Sequence, residues 1–340
     1  MSALSDMATI ARDPTWLPHR YDPGHDAVHF MRLDRAGHRA RTFLTDAELP
    51  AAPPLVLARA PVVAAAAGAA APIHFVFHSA YCCSTLVARA LDRTGAAMAL
   101  KEPQILNDLA GWRRRGAPPA RLAEVLDGAV TLLARPFSTG EAVVAKPSNI
   151  VNPLAAVLLA LRPQARALLL HAPLRLYLGS IARKGMWGRL WVRELFVGLA
   201  ADGVTDLGFA PERHLEQTDL QIAALGWLAQ HRLFAALARR HPDRVATLDS
   251  ERLVAEPRAA LAALAGLFGL PLDQAAIADI VGDVFARHAK SGETFGADAR
   301  AADQRDAASV HGEEIEKVAL WAEAVAESAG IPLRLPSPLL

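Results

Sequence analysis

From residue 73 onward, short apolar runs suited to strands alternate with longer amphipathic runs suited to helices, and this leaves few folds open. Strands are expected at Ile73 to Phe77, Ala97 to Leu100, Ala142 to Lys146, Ala165 to His171 and Val245 to Asp249. Between and after them, helices are expected over 84–93, near 119–134, over 152–161, from Pro173 to a stop at Gly185, and around 217–240, 257–268, 273–286 and 311–329. Strands that alternate with helices predict an α/β fold: a three-layer parallel sheet flanked by helices. In such sheets ligands bind at the carboxyl ends of the strands. Residues 1–70 read differently. Short alternating stretches such as AVHFMRL and RARTFL suggest a small β-containing N-terminal subdomain, and 51–72 looks like an Ala/Pro-rich connector with room for a short helix. The main domain is expected over 71–340.

Composition bounds the partners. A chain of 340 residues with 52% hydrophobic content buries a large core. Its 36 Lys+Arg against 35 Asp+Glu give a net charge of +1, with no global electrostatic case for nucleic acid. The short clusters Arg113-Arg114-Arg115 and Arg239-Arg240 lack interleaved aromatics and read as solvated helix ends. The two cysteines, adjacent at Cys82 and Cys83, supply no disulfide framework and fit a reducing compartment. The N-terminus shows no apolar signal-peptide core, and PVVAAAAGAA is far short of a membrane span. A soluble, cytoplasmic protein without membrane insertion is the expectation.

The most informative stretch is IHFVFHSAYCCSTLVARAL, Ile73 to Leu91. It reads as a buried strand, a tight loop of small and polar residues, then Ser84-Thr85 at the mouth of a helix. Helix N-termini leave backbone N–H groups without intrahelical partners and carry partial positive charge, so such a corner suits phosphate or sulfate. It is not a Walker A loop, because Cys83 stands before Ser84 and no lysine or glycine lies between His78 and Thr85. Two further strand ends carry charge. Lys101-Glu102-Pro103 follows the second strand, and a glutamate there can serve as a general base. Lys146 closes the third strand, where an ammonium can neutralise a bound anion.

This pattern resembles sulfotransferases that use 3′-phosphoadenosine 5′-phosphosulfate (PAPS) as sulfuryl donor. The resemblance covers roughly residues 73–271 and is strongest in the order and spacing of its segments. It implies a P-loop-NTPase-like sulfotransferase fold, PAPS as co-substrate and no metal. Ser84 and Thr85 take the places of the paired hydroxyl residues, with the backbone N–H groups of Tyr81, Cys82 and Cys83 completing the 5′-phosphosulfate loop. Tyr81 falls where many members carry lysine. The Lys-Glu-Pro run matches glycosaminoglycan sulfotransferases, whose glutamate deprotonates the acceptor, so Glu102 is implied as base. Lys146 or Lys101 would take over the missing loop lysine's role. In ALLLHAPLRLYLGSIARKG, Ser180 fits the serine that holds the 3′-phosphate. The family's arginine is absent from the strand end, leaving Arg175 or His171 as substitutes. Trp227 resembles a helical tryptophan near the adenine, and Glu251 and Leu253 match a later acidic-residue-leucine turn. Lys290, or Arg300, would stand for the basic loop that closes over the nucleotide, although the family's glycine-rich pattern there is missing.

Other readings stay open. The run Met186 to Arg193 interleaves tryptophans with arginines, which suits either an acceptor pocket or a helix packing its tryptophans inward. Cys83 and Arg89 have the C-x₅-R spacing of cysteine phosphatases, but the intervening STLVA has no glycine and reads as helix. A P-loop kinase would need a loop lysine and a magnesium-binding acidic strand end. A non-catalytic nucleotide-binding protein of the same fold is the main alternative to an enzyme. None of the twelve histidines has metal-ligand spacing. The acceptor, a small molecule or a glycan, is not encoded in any motif, nor is the oligomeric state.

Overall fold

The structure, a computed structural model, describes residues 3–285 and 297–340. The chain divides into two units. The first holds 1–76, 85–167 and 265–273; the second holds 77–84, 168–264 and 274–340.

The first unit opens with a helix, Ala3–Arg12, and an antiparallel sheet of β1 (Trp16–Asp22), β2 (Ala27–Arg32) and β3 (Leu55–Ala58), in that order. Registers Tyr21↔Val28 and Val28↔Leu57 align the three strands. This confirms a β-containing N-terminal region; 51–72 holds a short helix, Arg59–Ala66, and also β3, which had no sequence forecast. The helix Ala3–Arg12 had no sequence forecast.

The larger sheet has five parallel strands, β4 (Ile73–His78), β5 (Ala97–Lys101), β6 (Ala142–Lys146), β7 (Ala167–His171) and β8 (Val245–Asp249), in the order β5-β6-β4-β7-β8. The expected α/β architecture is present. β4 to β7 are buried along their whole length, which is why they read as continuous apolar runs rather than alternating ones. Register is set by Phe75↔Ala145 between β4 and β6 and by Lys101↔Lys146 between β5 and β6. Phe30, Leu44, Phe75, Leu91, Leu100 and Ile105 form the centre of the first unit, all at most 1% exposed.

Local chemistry sets the element ends. The helix expected over 152–161 begins later, at Ala155, and the chain before it winds as a 3₁₀ turn, Asn149–Leu154, with Pro153 inside it. Arg113 and Arg114, expected to be solvated, donate to the carbonyls of Pro153 and Ile150 at 3.4 and 3.3 Å and so tie down this turn. In the second unit, the helix Leu174–Arg183 stops before Gly185, as expected, with Gly185 at φ +58°. The next helix, Gly185–Ala201, takes in the whole tryptophan-arginine segment. A capping box between Thr218 and Gln221 starts the helix Asp219–Arg240. The last helix, Ala297–Ser328, is longer than its periodicity suggested. Among the described residues no helix is long and apolar enough to cross a membrane.

A candidate anion loop and an acid–base pair

β4 runs into the loop 79–83, and three of its residues are left-handed without being glycine: Ala80 at φ +70°, Tyr81 at +52° and Cys83 at +63°. Each such residue costs about 1–2 kcal/mol relative to ordinary backbone, so a cluster of them persists only where the surroundings hold it. The holding groups are visible in the second unit. The Ser79 N–H donates to the Leu170 carbonyl at 3.1 Å, and the Cys82 thiol reaches the same oxygen at 3.5 Å. The Ser79 hydroxyl accepts from the Ala172 N–H at 3.3 Å, and the Ala80 N–H donates to His78 Nδ1 at 3.1 Å. Left-handed residues next to ordinary ones turn successive N–H groups toward one point, the arrangement that makes anion-binding concavities. The helix Ser84–Leu91 follows at once, with Ser84 and Thr85 only 7% and 4% exposed. Because the strain is carried by Cβ atoms, Ala80→Gly is expected to raise unfolding stability by about 1 kcal/mol in urea titration; a loss of stability would mean that Ala80 is not strained.

The ends of β5 and β6, both in the first unit, build a charged pair. Lys146 is fully buried, its ammonium pairing with the Glu102 carboxylate and lying 5.1 Å from the centre of the Phe43 ring. Glu102 is also left-handed, at φ +54°, and its N–H donates to the Lys146 carbonyl at 2.7 Å. Backbone and side chain thus fix the two residues to each other.

Lys101 does not join that pair. Its ammonium donates to the carbonyls of Arg39, at 3.1 Å, and Arg41, and the side chain is buried. Burial first, and then the Arg89 guanidinium, push its amine down to about 8. Lys101 anchors the chain at 39–41 to the end of β5.

The other expected nucleotide contacts among the described residues, all in the second unit, have partners of their own. Arg175 makes a bidentate pair with Glu316, both contacts at 2.7 Å, and a third bond to Glu323 at 2.5 Å, so its fork joins two helices. The Ser180 hydroxyl donates back to the Leu176 carbonyl at 2.9 Å. Trp227 is buried, donates its indole N–H to the Ala172 carbonyl at 2.9 Å, and has His231 stacked 3.6 Å away. His171, at the end of β7, sits 5.0 Å from the His231 ring and 4.0 Å from Asp249; burial lowers its pKa. Lys290 lies outside the described residues, as does the side chain of Arg300. Phe43 and Tyr177, which touch Lys146 and Tyr81, had no sequence signal, since single aromatics in apolar runs read as core. Among the described residues no cluster of His, Cys, Asp or Glu could hold a metal ion.

No protein-family model matches the sequence, and no curated protein is similar to it. Several solved structures are similar to the chain, and two of them are sulfotransferases. One is the sulfotransferase domain of the olefin synthase from Synechococcus PCC 7002, at 16% identity and TM-score 0.40, covering 80% of this chain and 91% of that one. The other is the crystal structure of a sulfotransferase from Mycobacterium avium, at 12% identity and TM-score 0.41, covering 71% of this chain and 76% of that one.

Proposed function

We propose that the protein is a sulfotransferase that moves a sulfuryl group from PAPS to a hydroxyl or amine. The observation that carries this assignment is the glycine-free loop with left-handed Ala80, Tyr81 and Cys83, which opens directly onto the helix Ser84–Leu91. Main-chain N–H groups of residues 81–85 and the hydroxyls of Ser84 and Thr85 hold the 5′-phosphosulfate without a loop lysine. The acceptor oxygen or nitrogen attacks sulfur in line, and the bond from sulfur to the phosphate oxygen breaks. The acceptor's proton passes to Glu102, and 3′,5′-ADP leaves. Lys146 holds the Glu102 carboxylate in place. Sulfuryl transfer, like phosphoryl transfer, needs mainly positioning and charge stabilisation, so a small set of groups suffices.

A second reading has a specific observation in its favour. With Arg175 taken by two glutamates and Ser180 by its own helix, the 3′-phosphate lacks its expected partners. A non-catalytic nucleotide-binding protein of the same fold fits that feature. Thermal shift separates the cases. For the sulfotransferase, 3′,5′-ADP raises the melting temperature more than 5′-AMP does, and PAPS is consumed when acceptors are supplied. Stabilisation by ATP with Mg²⁺ but not by 3′,5′-ADP would overturn the assignment.

A further inference from the structure

Within the second unit, aromatic rings run in series from the anion loop to solvent. Tyr177 is fully buried on the helix Leu174–Arg183 and meets Tyr81 edge-on at 6.1 Å. Tyr81 in turn meets Trp191 edge-on at 5.6 Å, and Trp191 lies parallel to Trp187, 6.4 Å away. Trp187 is 61% exposed, and Met186 and Leu190 beside it are 70% and 56% exposed. Gly188 makes this possible, because a Cβ there would come within 2.6 Å of the Ile181 carbonyl oxygen of the preceding helix. The series ends in a polar orphan: the Tyr177 hydroxyl is buried and has no hydrogen-bond partner among the described residues. Leaving a buried hydroxyl unsatisfied costs about 1–3 kcal/mol, which a guest's hydroxyl can recover.

We propose that this aromatic series is the acceptor subsite and that it takes an uncharged aromatic alcohol of phenol or naphthol type. The substrate class rests on the sulfotransferase assignment above; the binding of such a molecule does not. Three features select the guest. The exposure falls from Trp187 inward to Tyr177, so the surface leads to an interior hydroxyl, which a protein partner or a membrane resting on the rim would leave unused. The cations on the same helix are engaged: Arg189 pairs with Glu314 at 3.1 Å and Arg193 with Asp219. An anionic acceptor therefore gains little from them. A single orphan hydroxyl also matches a guest with one hydroxyl better than a sugar with several. In the reaction, the phenol oxygen bonds to sulfur, the sulfur–oxygen bond to the nucleotide phosphate breaks, and the phenol proton passes to the general base.

The test uses the full chain with 1-naphthol and, for contrast, an N-acetylglucosamine glycoside. Binding is read by quenching of tryptophan fluorescence, and turnover by naphthyl sulfate formed from PAPS. The expected result is turnover of 1-naphthol and not of the glycoside. Trp191→Ala is expected to raise the KM for 1-naphthol roughly tenfold or more, the scale of one lost ring contact with its buried area. Its thermal shift with 3′,5′-ADP should match wild type. Tyr177→Phe should also raise KM, without loss of folding stability because no bond is broken. If 3′,5′-ADP does not bind but 1-naphthol binds through Trp191, the donor assignment falls and the aromatic site stands. If 3′,5′-ADP binds but 1-naphthol neither quenches nor turns over, or if Trp191→Ala leaves its affinity unchanged, the aromatic subsite is overturned.

Discussion

Glu102→Gln is expected to lower turnover by a factor of roughly 10²–10⁴, the usual worth of a positioned general base, with unchanged affinity for 3′,5′-ADP. The substitution keeps the shape of the side chain and removes the charge that accepts the proton. It also leaves the fully buried Lys146 ammonium without its carboxylate. Breaking a buried pair from one side commonly costs 3–5 kcal/mol; with Glu102 18% exposed and the Phe43 ring still in place, about 2 kcal/mol is expected. Stability and catalysis therefore have to be read apart. The double variant Glu102→Gln/Lys146→Met removes both charges, so it should regain most of the lost stability while staying inactive. A double-mutant cycle in urea gives the coupling energy directly. Turnover by Glu102→Gln within about threefold of wild type would remove Glu102 as the base, because 10²-fold is the least a general base contributes.

The sheet was legible in the sequence because buried parallel strands are largely apolar runs: β4 to β7 are buried throughout, and all five strands stand where strands were expected. The loop was legible only in part. Its position between β4 and Ser84 follows from the same pattern, but left-handed residues are usually announced by glycine, and this loop has none. Roles that depend on distant partners were not legible. Nothing near Lys101 in the chain says that the carbonyls of Arg39 and Arg41, some sixty residues earlier, take its ammonium. Arg175 follows the end of β7 by four residues, but its partners Glu316 and Glu323 come more than 140 residues later. A cation at a strand end is thus a weak predictor of ligand contact. It can equally serve as a tie between segments, and the sequence alone does not distinguish the two.

Such a tie should be the most fragile point of the first unit. Arg135→Ala is expected to lower unfolding stability by about 3–5 kcal/mol, in the range found when a buried charged network loses its centre. Arg135 is 3% exposed, and its guanidinium donates to five backbone carbonyls. These are Leu132 at 2.5 Å, Ile10 and Ala11 at 3.0 Å, Asp13 at 3.2 Å and Trp16 at 2.6 Å. Four of the five belong to the end of the helix Ala3–Arg12, the turn after it and the first residue of β1, so one side chain ties that passage together. Burial pushes the guanidinium's pKa down to about 10, still high enough for it to stay charged at neutral pH. The Phe30 ring lies under it at 5.9 Å. Alanine would remove the guanidinium's bonds to these carbonyls, of which Asp13 keeps another donor, the Trp16 N–H, and open a cavity beside Phe30. Arg135→Lys keeps the charge, but an ammonium has three donors and no planar fork, so it should recover only part of the loss. Limited trypsin digestion gives an independent readout. Cleavage after Arg12 should become fast in Arg135→Ala at temperatures where the wild-type protein resists it, and equal cleavage rates with a stability change below about 1 kcal/mol would show that the N-terminal helix is held by its apolar contacts alone.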